Sequence, residues 1–178
     1  MVEAYLDIET TGLSCRYCEI TVVGVCLSDG RTNHFFQLVG TEVTKDNLLY
    51  SLEEAERIYT YNGSRFDLPF IHGSLGVNLA SLIHHRDLMY DCWRCNLKGG
   101  FKAVERQLGI ARQLQEVDGY EAVLLWQRYR KHNDRVALAR LLEYNKEDVM
   151  NLLQLKQRLE GWFETGNYLS ELWESKES

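Results

Sequence analysis

Tyr5-Leu6-Asp7-Ile8-Glu9-Thr10-Thr11-Gly12-Leu13 sets two carboxylates, Asp7 and Glu9, two residues apart in a short apolar run that ends at Gly12. On a β-strand, positions i and i+2 share a face, so both acids point the same way, with Tyr5 behind them. Two bare carboxylates this close repel each other unless a proton or a cation lies between them. Magnesium or manganese suits that place, because hard divalent ions take oxygen ligands. The plainer alternative is that one acid caps a turn and the other faces water, since strand ends are polar in any case. Other acids along the chain decide between the two.

The 178 residues are 45% hydrophobic and 26% charged, an ordinary balance for one globular domain with a core of its own. No apolar run approaches the ~20 residues of a membrane span. Candidate catalytic residues begin at Asp7, so no signal segment is expected and the predicted setting is soluble and cytoplasmic. The net charge of −6 argues against a passive module that holds nucleic acid by electrostatics alone. It conflicts less with an enzyme whose acids hold divalent ions, because bound ions reverse the local field.

Of five cysteines, four form two C-x-x-C pairs, Cys15 with Cys18 and Cys92 with Cys95. A structural Zn2+ shared by the four is one candidate, because tetrahedral zinc uses such units. Neither pair has a Gly-containing knuckle and the two lie far apart in the chain, so ordinary thiols are the favoured reading.

The remaining pattern alternates strands and helices. Residues 3–8 read as a strand, Ile20 to Leu27 as a β-branched, buried central strand, and Asn33 to Leu38 as a third, joined by the turn at Ser28-Asp29-Gly30-Arg31. Asp46 to Glu56 has helical spacing, with Thr44 or Asp46 as its cap. Arg57 to Tyr61 is a short strand, followed by the loop Asn62-Gly63-Ser64-Arg65 and a helix with Pro69 in its first turn, which puts Asp67 at that helix's start. Leu82 to Leu88 reads as a strand. Helices are expected over 102–108, 119–131 and 135–159. The predicted class is α/β: a mixed central sheet, antiparallel meander plus parallel strands, flanked by helices. The domain is expected to cover residues 1–160, with an aromatic and charged helical tail over 161–178 packed on the domain or a partner.

In the long helix, Tyr144 and Asp148 are four apart and share a face. By itself such a pair reads as a solvated helix face rather than a site. The combination carries more: D-x-E on the first strand, N-x-x-x-F-D at Asn62, Phe66 and Asp67, then Y-x-x-x-D near the end, in that order. With these motifs the chain resembles the DEDD superfamily of 3′–5′ exonucleases, in its tyrosine-bearing branch, and within it the YprB-type ribonuclease H-like domains. The resemblance covers roughly residues 3–160, and 6–13 is its most specific part. It implies a ribonuclease H-like fold and hydrolysis of phosphodiester bonds at a single-stranded 3′ end of DNA or RNA. It also implies two divalent cations, Mg2+ or Mn2+, on Asp7, Glu9, Asp67 and Asp148, which can act on the attacking and the leaving oxygen together. Tyr144 would orient the attacking water. Thr10, Thr11, Gly12 and Leu13 would meet the terminal nucleotide, and Asn62 and Phe66 would line the same cleft; a turn-forming Asn and a core Phe are their alternatives.

Other features carry less. Asp87 and Asp91 follow a strand and could approach the site, but the four-acid set is complete without them. Ser64 and Ser81 lack His–Asp partners, and Gly99-Gly100 lacks the Lys-Ser/Thr of a phosphate loop. Lys98, Lys102, Arg106 and Arg112 either track a nucleic-acid backbone or form a solvated face. Two rivals to an exonuclease remain: an endonuclease on the same chemistry, and a scaffold that keeps the fold without catalysis.

Overall fold

The computed structural model describes residues 1–164, which form five strands and seven α-helices. Strands β1 (Glu3–Thr10), β2 (Ile20–Ser28) and β3 (Asn33–Val39) make the expected antiparallel meander. Strands β4 (Arg57–Thr60) and β5 (His84–Asp87) add in parallel on the other side, giving the order β3-β2-β1-β4-β5.

Strand alternation sorts the central residues onto two faces. Ala4, Leu6 and Ile8, with Val23 and Val25 of β2, pack under α1 (Lys45–Ser51), α2 (Asp67–Leu75) and α3 (Leu79–Leu82). Tyr5 and Cys26 face the other way, where Tyr5 stacks on Tyr59 at 5.3 Å between ring centroids. That side is covered by α4 (Leu88–Arg94), α5 (Phe101–Leu108) and α7 (Arg135–Glu164). Farther along the same face, Val22 meets α6 (Gly119–His132) and the first half of α7. Asp7 and Glu9 share this second face with Tyr5, so the long helix is the element laid across them.

Three local expectations shift. The helix expected to Glu56 ends at Ser51, capped at its start by Thr44. The chain has to turn there to enter β4, and Glu56 N–H already donates to Val2 O at 2.9 Å beside β1. The strand expected over 82–88 is reduced to β5 by a helix on each side, because Asp87 accepts from Met89 N–H and caps α4. The long helix runs on to Glu164, with Trp162 packed on the second-face core. The rest of the expected tail, 165–178, lies outside the described residues. Among those described, no helix is long and apolar enough to cross a membrane.

The zinc expectation needs correction. Cys18 packs against the first-face core, and Cys15 Sγ lies beside Gly73 of α2. Cys92 and Cys95 are buried on the opposite face. The sheet separates the pairs, so the four sulfurs form no common site.

Candidate active site

Each acid reaches the cleft for a separate local reason. Asp7 sits opposite Gly24 of β2, and a Cβ at Gly24 would collide with Asn145 Oδ1 and lie 2.8 Å from Val149 Cγ2. Glycine there lets α7 approach the sheet closely. Asn145, with no exposed surface, uses that approach: its Nδ2 donates to Asp7 Oδ2 at 2.9 Å and its Oδ1 accepts from Gln37 at 2.8 Å. After Glu9 the β1–β2 register shifts, an irregularity that re-aims the strand end where the chain leaves for Thr10–Leu13.

Asp67 arrives by another route. The β1–β4 ladder ends at the Tyr5–Tyr59 pair, while β1 continues to Thr10. The Asp67 carboxylate, at the start of α2, fills the edge beyond that ladder by accepting Ile8 N–H at 3.2 Å. The loop before it is held by Asp87, whose carboxylate accepts from Asn62 N–H at 2.8 Å and from Ser64 N–H and Oγ. Asn62 itself has φ of 62°, a left-handed conformation that asparagine tolerates. Asp87 thus positions the loop that carries Asp67.

Helix α7 supplies the rest. Its buried stripe runs through Ala137, Leu141, Val149, Leu152, Leu155 and Leu159, and Tyr144, Asn145 and Asp148 interrupt it where it crosses β1. One carboxylate oxygen from each of Asp7, Glu9 and Asp148 lies within 4.8 Å of the others. Asp67 stands outside that group of three but lines the same cleft. This cleft, of about 710 Å³, is also lined by Thr10, Thr11, Gly12, Leu13, Asn62, Phe66, Tyr120 and Tyr144. Every residue singled out for catalysis or substrate contact therefore borders one space. Leu13 is 89% exposed at its mouth. Phe66 is both a wall of the cleft and a partner of the first-face core, so its two readings hold together.

The electrostatics follow from burial. Asp7 and Glu9 are driven well above the ordinary carboxylate range by desolvation, then by Asp148 and their other acidic neighbours. Burial lifts Asp67 to about 7 against the hydrogen bonds from its own and Ile8 backbone N–H, and lifts Asp148 to about 6 against the pull of Arg112. Burial and the acids beneath it push Tyr144 upward, so its phenol stays protonated. Convergent, mutually repelling oxygens with few cations to neutralise them are a donor set suited to hard divalent ions.

One cation of the basic cluster departs from both sequence expectations, a backbone track and a solvated face. Arg112 lies in the interior, its side chain only 4% exposed. It donates through Nε and Nη2 to Glu105, each at 2.7 Å, and Nη2 also donates to Asp148. Its buried Nη1 makes no hydrogen bond and sits 3.8 Å from Glu147. Asn151 completes the cluster by donating to Glu105 at 2.8 Å. Lys102 and Arg106, by contrast, do line a space adjoining the acids. Asn145 and Asn151 had one sequence signal, since both are amides at positions of the α7 stripe where apolar residues belong. Arg112 had none, because Glu105 lies 7 residues back across the end of α5 and Asp148 lies 36 residues on.

Fold and site together define an α/β domain of ribonuclease H-like architecture with an acidic cleft at the end of its central strand. The family model for the RNase H superfamily matches residues 4–160, and the chain belongs to that superfamily. Solved structures share the fold at low identity. NrnC of Brucella melitensis with bound Mg2+ superposes with a TM-score of 0.62 at 21% identity, covering 95% of this chain and 77% of that one. The family B DNA polymerase of the archaeon Pyrobaculum calidifontis gives 0.63 at 16% identity, over 86% of this chain and 24% of that one. A structure described as the apo form of a nuclease gives 0.61 at 20%, over 93% and 74%. No curated protein matches the chain.

Proposed function

We propose that this chain is a metal-dependent 3′–5′ exonuclease of the tyrosine-bearing DEDD type, acting on single-stranded ends of DNA or RNA. The observation that carries the reading is the convergence of Asp7, Glu9 and Asp148 under Tyr144, in a cleft that Asp67 also borders. In this reading those four acids hold Mg2+ or Mn2+, and residues 1–160 form the catalytic domain of a cytoplasmic enzyme. Bound there, divalent ions lower the pKa of water and stabilise the departing oxygen of a phosphodiester. Tyr144, kept as a phenol, orients the attacking water through one hydrogen bond. The Thr10–Gly12 backbone holds the terminal sugar, with Thr10 Oγ1 tied to Gly12 O at 2.7 Å to fix that turn. Leu13, exposed at the mouth, covers one face of the terminal base. NrnC, of the same fold, has been seen with Mg2+ and bound to pGG, which supports the reading.

Incubating the protein with a 5′-labelled single-stranded oligonucleotide and Mg2+ or Mn2+ tests this. A ladder growing from the 3′ end is expected, and it should vanish in Asp7→Asn and Asp148→Asn. Cleavage of a circular strand would favour an endonuclease. No hydrolysis of DNA or RNA by the intact protein would end the proposal.

A further inference from the structure

Beside the cleft, α4 exposes two large aromatic rings. Tyr90 and Trp93 are 36% and 45% exposed and meet edge to face at 5.3 Å between centroids. The guanidinium carbon of Arg65 lies 5.9 Å from the Tyr90 centroid and 5.6 Å from that of Trp93. Among the described residues, Arg65 has no carboxylate within ion-pair reach, and its guanidinium lies against the two rings. Arg86 and Arg94, both substantially exposed, share the single buried carboxylate of Asp91 at 2.6 and 3.3 Å. Three guanidinium groups, Arg65, Arg86 and Arg94, thus stand over the two buried carboxylates of Asp87 and Asp91, and the exposed charge at the rings is that of Arg65.

The face is joined to the site through the loop that carries Asp67. Asn62 and Phe66 of that loop line the cleft, and Arg65 lies between them in sequence. Arg65 is two residues from Asp67, at most about 7.6 Å of Cα trace. Ser64 ties the loop to α4: its hydroxyl donates to Asp87 at 2.6 Å and lies 3.3 Å from the Tyr90 hydroxyl. The rings are thus fixed relative to the acids.

We propose that Trp93, Tyr90 and Arg65 form a stacking platform for single-stranded nucleic acid, engaging nucleotides upstream of the one held in the cleft. Every base has a π-face, so stacking on exposed aromatics holds a strand without reading its sequence. Arg65 meets a phosphate, and its alignment over the rings keeps it extended toward the strand. Charge complementarity favours a polyanion over a second protein here. The platform rests on the nuclease reading for its ligand, but it adds a requirement of its own: affinity must depend on strand length.

Fluorescence anisotropy with a labelled oligothymidylate of about twelve nucleotides, within the span such surfaces cover, is the direct test. Calcium replaces magnesium to limit hydrolysis. Trp93→Ala should weaken binding by about tenfold or more, and Trp93→Phe should recover most of it. Arg65→Ala should also lower the slope of log affinity against log salt by about 0.7. Hydrolysis of a dinucleotide, too short to reach the platform, should stay unchanged in all three. The platform is wrong if the wild type binds the long strand and Trp93→Ala binds it equally well, or if the dinucleotide loses as much as the long strand. A change in the variant's sedimentation with strand affinity intact would make the face a protein contact and also overturn it. Strand binding without any hydrolysis would leave the platform standing and remove the nuclease reading; no strand binding at all would remove both.

Discussion

Asn145 donates its side-chain amide to the Asp7 carboxylate at 2.9 Å, across 138 positions of sequence. The same amide accepts from Gln37, so one buried side chain joins the outer strand, the central strand and the long helix at the acidic cleft. The bond fixes one oxygen of the Asp7 carboxylate against the long helix.

Asn145→Ala removes the donor from Asp7 and one of the two acceptors of the Gln37 amide, which keeps Leu142 O at 2.9 Å. The expected result is a 10–100-fold rise in the Mg2+ concentration needed for half-maximal activity. Stability should fall by only about 1–3 kcal/mol. Metal titration of activity and urea denaturation check the two effects separately, and equal metal requirements would show that Asp7 does not depend on this bond.

Arg112→Met leaves Glu105 and Asp148 buried without their shared cation. Breaking a buried pair from one side costs about 3–5 kcal/mol, far more than a surface pair. The urea midpoint should drop accordingly. Arg112→Lys restores the charge but not the fork that grips Glu105 with two nitrogens, so it should recover only part of the loss.

Metal-free protein should lose stability as pH rises. Asp67 and Asp148 titrate near 7 and 6 in the folded chain, above their ordinary carboxylate range. The folded state therefore keeps protons that the unfolded chain has already released. Ionising these groups costs nothing below the unfolded pKa, and the full cost is present above the folded one. The melting temperature should fall between about pH 4 and pH 8. Added Mg2+ competes with those protons, so it should raise the melting temperature more at pH 8 than at pH 5. A metal effect independent of pH would contradict this.

Gly24→Ala should be unusually harmful for a strand residue. The new methyl would meet Asn145 and Val149 and push α7 off β1. A loss of about 1–3 kcal/mol is expected from overpacking alone. Activity should fall further than stability accounts for, since Asn145, Tyr144 and Asp148 move with the helix; thermal melts and turnover measured on the folded fraction separate the two.

The strands, most helices and the ordering of the candidate acids were legible in the chain, because period-2 and period-3.6 patterning is local and the spacing of Asp7 with Glu9 and of Tyr144 with Asp148 sets their shared faces. Helix α4 was not legible: its seven residues mix aromatic and polar types without a clear period, and it starts where Asp87 caps it. The convergence of three carboxylates within 4.8 Å, the burial of Arg112 and the separation of the cysteine pairs by the sheet were settled by tertiary packing alone. The physical reason is the same in each case: local patterning tells a side chain which face it takes, but the company it keeps there, and so its charge state, depends on which distant element is laid across that face.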